Sequence, residues 1–199
     1  MEQCTGLGKT NMWPLESRLG KGIWHATHPE RFVSIMTEGV KAEPALSDQE
    51  RWKTSRGPEF YPFVRKIGGV SLFDFERFNP DEYDRSHPLS NWRTFVPHRD
   101  DWAGAVWIQI DREMIGDRFI STDDLVVRWD QGGHHRHTIM PRIECACVGD
   151  IPTLAFVSAF LTWSRGEEFR DLVLAPFSAT TYRSVLTAWS EAQSEGRTE

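Results

Sequence analysis

Residues 22–40, Gly-Ile-Trp-His-Ala-Thr-His-Pro-Glu-Arg-Phe-Val-Ser-Ile-Met-Thr-Glu-Gly-Val, constrain the fold most, because a short apolar run leads through a polar His25-Ala26-Thr27 directly into a helix signal. Ile23 and Trp24 read as a strand. Thr27 and Glu30 have capping-box spacing, Pro29 suits a first helical turn, and Gly39 suits a left-handed C-terminal cap. The helix between them is about two to three turns long. Phe32, Val33, Ile35 and Met36 give it an apolar stripe, so it packs on a core and holds the end of the strand still. His25 therefore sits on a rigid support, although a lone strand histidine is commonly satisfied by backbone groups.

Composition narrows the class. A chain of 199 residues suits a single domain, residues 1–199, with 39 % hydrophobic and 12 % aromatic residues and nine tryptophans to build a core. No apolar run approaches bilayer length, so no membrane partner is expected. Residues 1–12 are polar and lack an apolar signal-peptide core, which makes the cytoplasm the expected compartment. The net charge of −6 argues against a large sequence-independent phosphate-binding surface. Cys4, Cys145 and Cys147 cannot all pair within one chain, and reduced thiols without metal are expected.

Along the chain, residues 41–66 read as a loop anchored by aromatics and 68–75 as a strand. Prolines break residues 76–99 into loop, 105–110 is the clearest strand, and 111–118 reads as a turn or short helix. A further strand is expected over 124–129, a polar loop over 131–137 and a strand over 142–148. The motif-bearing core is thus 22–152. The remainder, 153–199, reads as a C-terminal helical part, with helices over 153–163, 167–174 and 181–193.

Three motifs occur in order. The strand, His25-Ala26-Thr27, the short helix and Glu38-Gly39-Val40 resemble the opening of the ADP-ribosyltransferase superfamily, in its diphtheria-toxin-like and poly(ADP-ribose)-polymerase-like branch. Members usually carry glycine where this chain has Ala26, a change that keeps the backbone amide and carbonyl and adds a methyl group. Gly69-Val70-Ser71-Leu72-Phe73 is similar to the second family motif, with Ser71 at the usual aromatic position; Phe73, Phe75 or Tyr61 then remain as stacking rings. Glu144, followed by Gly149-Asp150-Ile151-Pro152, is similar to the third motif. Strand alternation places Glu144, Ala146 and Val148 on one face and Ile143, Cys145 and Cys147 on the other, so the thiols are expected to fill core while the carboxylate faces a cleft beside the small Ala146.

The resemblance implies an α+β fold with a split, mostly antiparallel ADP-ribosyltransferase-like sheet and flanking and C-terminal helices. It implies NAD as substrate, with Glu144 catalytic and His25, Ala26, Thr27, Ser71 and Phe73 holding the dinucleotide around one cleft, Ser71 supporting Glu144 or the ribose. Mono-ADP-ribosyl transfer to an unidentified acceptor, whether protein, nucleic acid or small molecule, follows from it, as does a bacterial toxin or phage-defence setting with an antitoxin or defence-system partner. Two alternatives stay open. One is a non-catalytic partner-binding module on the same fold. The other is a cupin-like metal enzyme using His134, His135 and His137, whose spacing to Glu144 is too long for the usual cupin motif.

Overall fold

The computed structural model describes residues 15–47, 57–90, 92–99, 102–163 and 168–174, with 187, 189–191 and 194 of the C-terminal part. Its strands are β1 (Ile23–Thr27), β2 (Gly69–Asp74), β3 (Gly104–Ile110), β4 (Phe119–Ile120), β5 (Glu144–Val148), β6 (Phe156–Trp163) and β7 (Glu168–Leu172). They form one seven-stranded sheet in the order β4-β5-β2-β1-β3-β6-β7. Every neighbouring pair is antiparallel. Helix α1 (Glu16–Leu19) precedes β1, and α2 (Pro29–Glu38), α3 (Phe63–Lys66), α4 (Pro80–Ser86), α5 (Arg112–Ile115) and α6 (Thr122–Gln131) fall between strands in the chain. The architecture is α+β, and no helix among the described residues is long and apolar enough to cross a membrane.

The strands at the centre are apolar because both faces of the sheet are covered. On one face Ile23, Val70, Leu72, Val106, Ile108, Cys145, Cys147 and Leu161 pack with Phe32 and Ile35 of α2. Each fully buried side chain of this size contributes about 1.5–3 kcal/mol. On the other face Trp24, Phe73, Phe75, Trp107 and Phe160 join Tyr83 and Trp92 in an aromatic cluster. Trp107 is fully buried and its indole N–H donates to the Pro97 carbonyl at 2.7 Å, as a buried indole must find an acceptor. A third cluster sets Phe63, Val64, Ile120 and Leu125 over Ala146.

Thr27 does not cap α2. β1 runs through Thr27, and the residue before Pro29 is held extended, with φ −66° and ψ 139°, so His28 becomes the N-cap. Its Nδ1 accepts from the Glu30 N–H at 3.3 Å. At the other end Gly39 has φ 79°, and a Cβ there would stand 2.3 Å from the Ile151 carbonyl oxygen, so the glycine admits the bridge between Val40 and Ile151.

Other boundaries differ from the sequence expectations. Residues 124–129 are part of helix α6, not a strand: Ser121 caps the helix, its Oγ accepting from the Asp124 N–H at 3.1 Å, and Leu125 is buried from the helix's inner face. The helices expected over 153–163 and 167–174 are the strands β6 and β7. Phe, Val, Thr and Trp favour a pleated surface, and β6 pairs with β3 along its length, so a short apolar run that suits either structure becomes a strand once a sheet edge is open to it. The expected helix over 181–193 lies largely outside the described residues; 187, 189–191 and 194 are helical, and Trp189 is buried against the α2 face.

Candidate functional site

β1 pairs with β3 at five positions and β2 with β5 at five, but β1 and β2 pair only through Ile23 with Asp74 and Trp24 with Phe73. The sheet therefore splits beyond Trp24. The split falls where His25-Ala26-Thr27 faces the stretch containing Ser71.

Ser71 ties the two sides together. His25 Nδ1 lies 3.0 Å from the Ser71 carbonyl oxygen, and since a carbonyl only accepts, Nδ1 carries the proton of that bond. The Ser71 hydroxyl donates to Glu144 Oε1 at 2.7 Å. The Met140 N–H donates to Glu144 Oε2 at 3.0 Å, while the Glu144 N–H donates back to the Met140 carbonyl at 2.9 Å. Both carboxylate oxygens thus have a donor. Arg142, in the turn before β5, has φ 63°, a left-handed conformation that non-glycine residues adopt at a cost.

Glu144 is only 3 % exposed. Burial pushes its carboxyl above the ordinary value, and the hydrogen bonds from Ser71 and from the Met140 amide partly oppose this by favouring the charged form. Tyr83 is buried nearby in the aromatic cluster with Ile143, and its hydroxyl shares a 2.8 Å hydrogen bond with Ser90 Oγ. Burial raises the Tyr83 phenol first, and the Glu144 charge raises it further.

The side chains expected around one cleft do not share one face. Register sets His25 opposite Ile108 and Thr27 opposite Val106, on the α2 face. Ser71 and Glu144 lie with Ala146 and Phe73 on the opposite face, and Ala26 packs against the aromatic cluster there. His25 therefore meets Ser71 through the serine backbone, and Glu144 meets it through the hydroxyl. Thr27 is buried.

Two further expectations are corrected. Phe73 offers no open ring face: it lies parallel to Phe75 at 5.9 Å and edge-on to Trp107 at 5.5 Å, and is buried. Ala146 is covered by α3 and α6 instead of bordering an open cleft. Cys145 and Cys147 are free thiols in the α2-face core, away from Glu144, and burial raises both.

The histidine-rich loop is tied to its surroundings. His137 Nδ1 donates to the Tyr61 carbonyl at 2.8 Å, the His134 ring rests on Phe63, and His135 meets Trp129 edge-on. Among the described residues no group of three or more His, Cys, Asp or Glu converges as a metal site. An open cavity of about 300 Å³ lies at the other ends of β1, β2 and β3, between Gly22, Asp74, Gln109 and Arg112, and its lining includes none of His25, Ser71 and Glu144.

Sequence reading missed the Met140 amide and the near-complete burial of Glu144. Pro141 signals a turn before β5, but a backbone donor carries no residue-type signature. No protein-family model, curated protein or solved structure matches the chain.

Proposed function

We propose that the chain is an NAD-dependent mono-ADP-ribosyltransferase that cleaves the nicotinamide–ribose bond and passes ADP-ribose to an acceptor. The observation that carries this reading is Ser71, bonded to His25 on one side of the sheet's split and to Glu144 on the other. Support also comes from the resemblance of the His25, Ser71 and Glu144 motifs, in that order, to the ADP-ribosyltransferase pattern. A dinucleotide reached by both His25 and Glu144 must enter the gap between β1 and β2, because neither face alone presents both side chains.

In that gap the ionised Glu144 carboxylate would contact the ribose 2′-hydroxyl. As the bond to nicotinamide breaks, the electron pair leaves with nicotinamide and positive charge develops on the ribose, which a fixed carboxylate stabilises. Ser71 and the Met140 amide hold that carboxylate in one orientation. His25 would position the ribose, and the backbone of Ala26 the carboxamide. The stacking ring would come from Tyr61, since Phe73 and Phe75 are both buried in ring packing. Toxin or defence activity with a dedicated partner belongs to this reading as an expectation of the family.

The test is incubation of the protein with NAD and cell lysate, followed by mass spectrometry for released nicotinamide and ADP-ribosylated product. Glu144→Gln is expected to lower nicotinamide release about 10²–10³-fold in kcat with NAD affinity nearly intact. His25→Ala is expected to weaken both binding and turnover. Absence of NAD binding by calorimetry together with absence of nicotinamide release overturns the reading. The enclosed position of Glu144 favours the alternative in that case, a partner-binding module on the same fold.

A further inference from the structure

Two guanidinium groups and a buried imidazole nitrogen share one crevice beside the turn before β5. The crevice holds about 30 Å³ and is lined in part by Arg77, Glu82, Tyr83, His87 and Arg142. That volume admits about two water-sized groups, so a ligand would place one or two atoms inside and keep the rest at the mouth. His87 caps the C-terminal end of α4, and its ring lies tilted over Tyr83 with centroids 4.8 Å apart. The His87 Nδ1 is buried and has no hydrogen-bond partner among the described residues. A buried polar atom is costly to leave unpaired, and one in the wall of a crevice marks where a ligand atom belongs.

The two arginines are uncommitted. Arg142 takes the third position of the turn at 140–143, where the Ile143 N–H donates to the Met140 carbonyl at 3.4 Å, and its φ is 63°. Glycine or asparagine suits that conformation better, so an arginine there points to a use for its side chain. Its guanidinium is 68 % exposed and comes no closer than 3.8 Å to Glu82, which is longer than a hydrogen bond. Arg77 is exposed and makes no hydrogen bond or ion pair among the described residues. Two cations and one carboxylate therefore line the crevice, a local excess of positive charge in a chain whose net charge is −6.

We infer that this crevice binds a phosphate group, one oxygen accepting from His87 Nδ1 inside and the others accepting from Arg77 and Arg142 at the mouth. His87 is then the tautomer with its proton on Nδ1. A water molecule would satisfy His87 but gives neither guanidinium a counter-charge. A planar carboxylate has two oxygens for three donor groups, whereas a phosphate has one for each. Glu82 competes with the anion for Arg142. The phosphate is either the free ion or a monoester at the end of a larger ligand, two sources with the same headgroup. The site uses none of the chemistry assigned to Glu144, so it stands or falls apart from the proposed transferase.

The experiment titrates the full chain with sodium phosphate and, separately, with phenyl phosphate as the monoester, at constant ionic strength set with sodium chloride. Proton–nitrogen NMR correlations of the histidine rings and the backbone report binding, and thermal unfolding establishes that each variant folds. Wild type is expected to bind phosphate saturably, with the His87 ring nitrogens among the signals that move most. Arg77→Gln and Arg142→Gly are each expected to weaken binding about tenfold or more, the loss of one charge-assisted hydrogen bond. Arg142→Gly installs the residue that φ 63° favours, so its Tm in chloride should not fall, which separates a ligand role from a structural one. His87→Phe keeps a ring against Tyr83, removes the nitrogen and should also weaken binding. Glu82→Gln is expected to strengthen binding about threefold by removing the competing carboxylate. Tighter binding of inorganic phosphate than of phenyl phosphate supports the free ion, and the reverse supports a phosphorylated ligand. No saturable response to either, an equal response to acetate, or binding unchanged in both arginine variants overturns the site.

Discussion

Replacing Ser71 by alanine isolates the one side-chain hydrogen bond made to Glu144 among the described residues. The hydroxyl donates to Oε1 at 2.7 Å, and Met140 then remains as the sole hydrogen-bond donor described for that carboxylate. A hydrogen bond to a buried charged group is worth about 1.5–3 kcal/mol, against about 1 kcal/mol for a neutral one. The charge on Glu144 depends on pH, and burial has moved its pKa upward. Below the unfolded value of about 4.3 the group is neutral in both states and its stabilising contribution is complete. As pH rises through the higher folded value that contribution is lost, because the unfolded chain releases the proton more readily. Ser71→Ala removes a group that favours the carboxylate, so the folded pKa climbs further and the loss of stability extends to higher pH. The expected penalty is therefore about 2 kcal/mol at pH 8.5 and about 1 kcal/mol at pH 4.5, or a fall in Tm of about 4–8 °C against about 2–4 °C. Thermal unfolding followed by circular dichroism at the two pH values measures it. In a Glu144→Gln background, where the charge is absent, Ser71→Ala should cost about 1 kcal/mol at both. Equal penalties at both pH values in the wild-type background, or a penalty at pH 8.5 that is unchanged once Glu144 is glutamine, would refute the claim that Ser71 supports a buried titrating carboxylate.

Gly39→Ala should destabilise by about 2 kcal/mol or more, because φ is 79° and the new Cβ meets the Ile151 carbonyl oxygen at 2.3 Å, a backbone atom with no side-chain rotation to relieve it. Urea unfolding measures this, and a midpoint equal to wild type rules out the close approach. Cys145 and Cys147 should resist a disulfide-exchange thiol reagent in the folded protein, since both are buried and burial holds their thiols protonated. All three cysteines of the chain should react in denaturant, whereas rapid native labelling mapped to Cys145 contradicts the packing of β5 on α2.

How much of this was legible in the sequence depends on the range of the interaction concerned. Local signals served well: His25 lies on β1, Pro29 opens α2, Gly39 closes it, and 105–110 is a central strand. Local signals failed where two of them competed. At 122–131 the apolar Val126 and Val127 suggest a strand, but Ser121 and Asp124 supply a cap, and a capped segment with Leu125 and Trp129 on its packed side forms a helix. At 156–163 the composition alone could not decide between helix and strand, because the deciding partner, β3, lies about fifty residues away in the chain.

The site divides along the same line. Residue types with chemical meaning at strand positions, His25, Ser71 and Glu144, can be found by reading each strand separately, and alternation assigns Glu144 and the cysteines to opposite faces of β5. Alternation also puts His25 on the far face from Glu144, but only the register of β1 against β3 and of β2 against β5 reveals it. The lapse in pairing between β1 and β2 resolves that geometry. A continuous sheet would keep the two side chains apart, whereas β1 and β2 pair only through Ile23 and Trp24, and the proposed dinucleotide would have to meet groups from both faces beyond that point. Ser71 sits at the edge of that gap, where its carbonyl and its hydroxyl point to the two sides. A substitution of Ser71 should accordingly disturb the proposed binding and chemistry together, unlike Glu144→Gln, which removes charge and leaves the gap's shape in place.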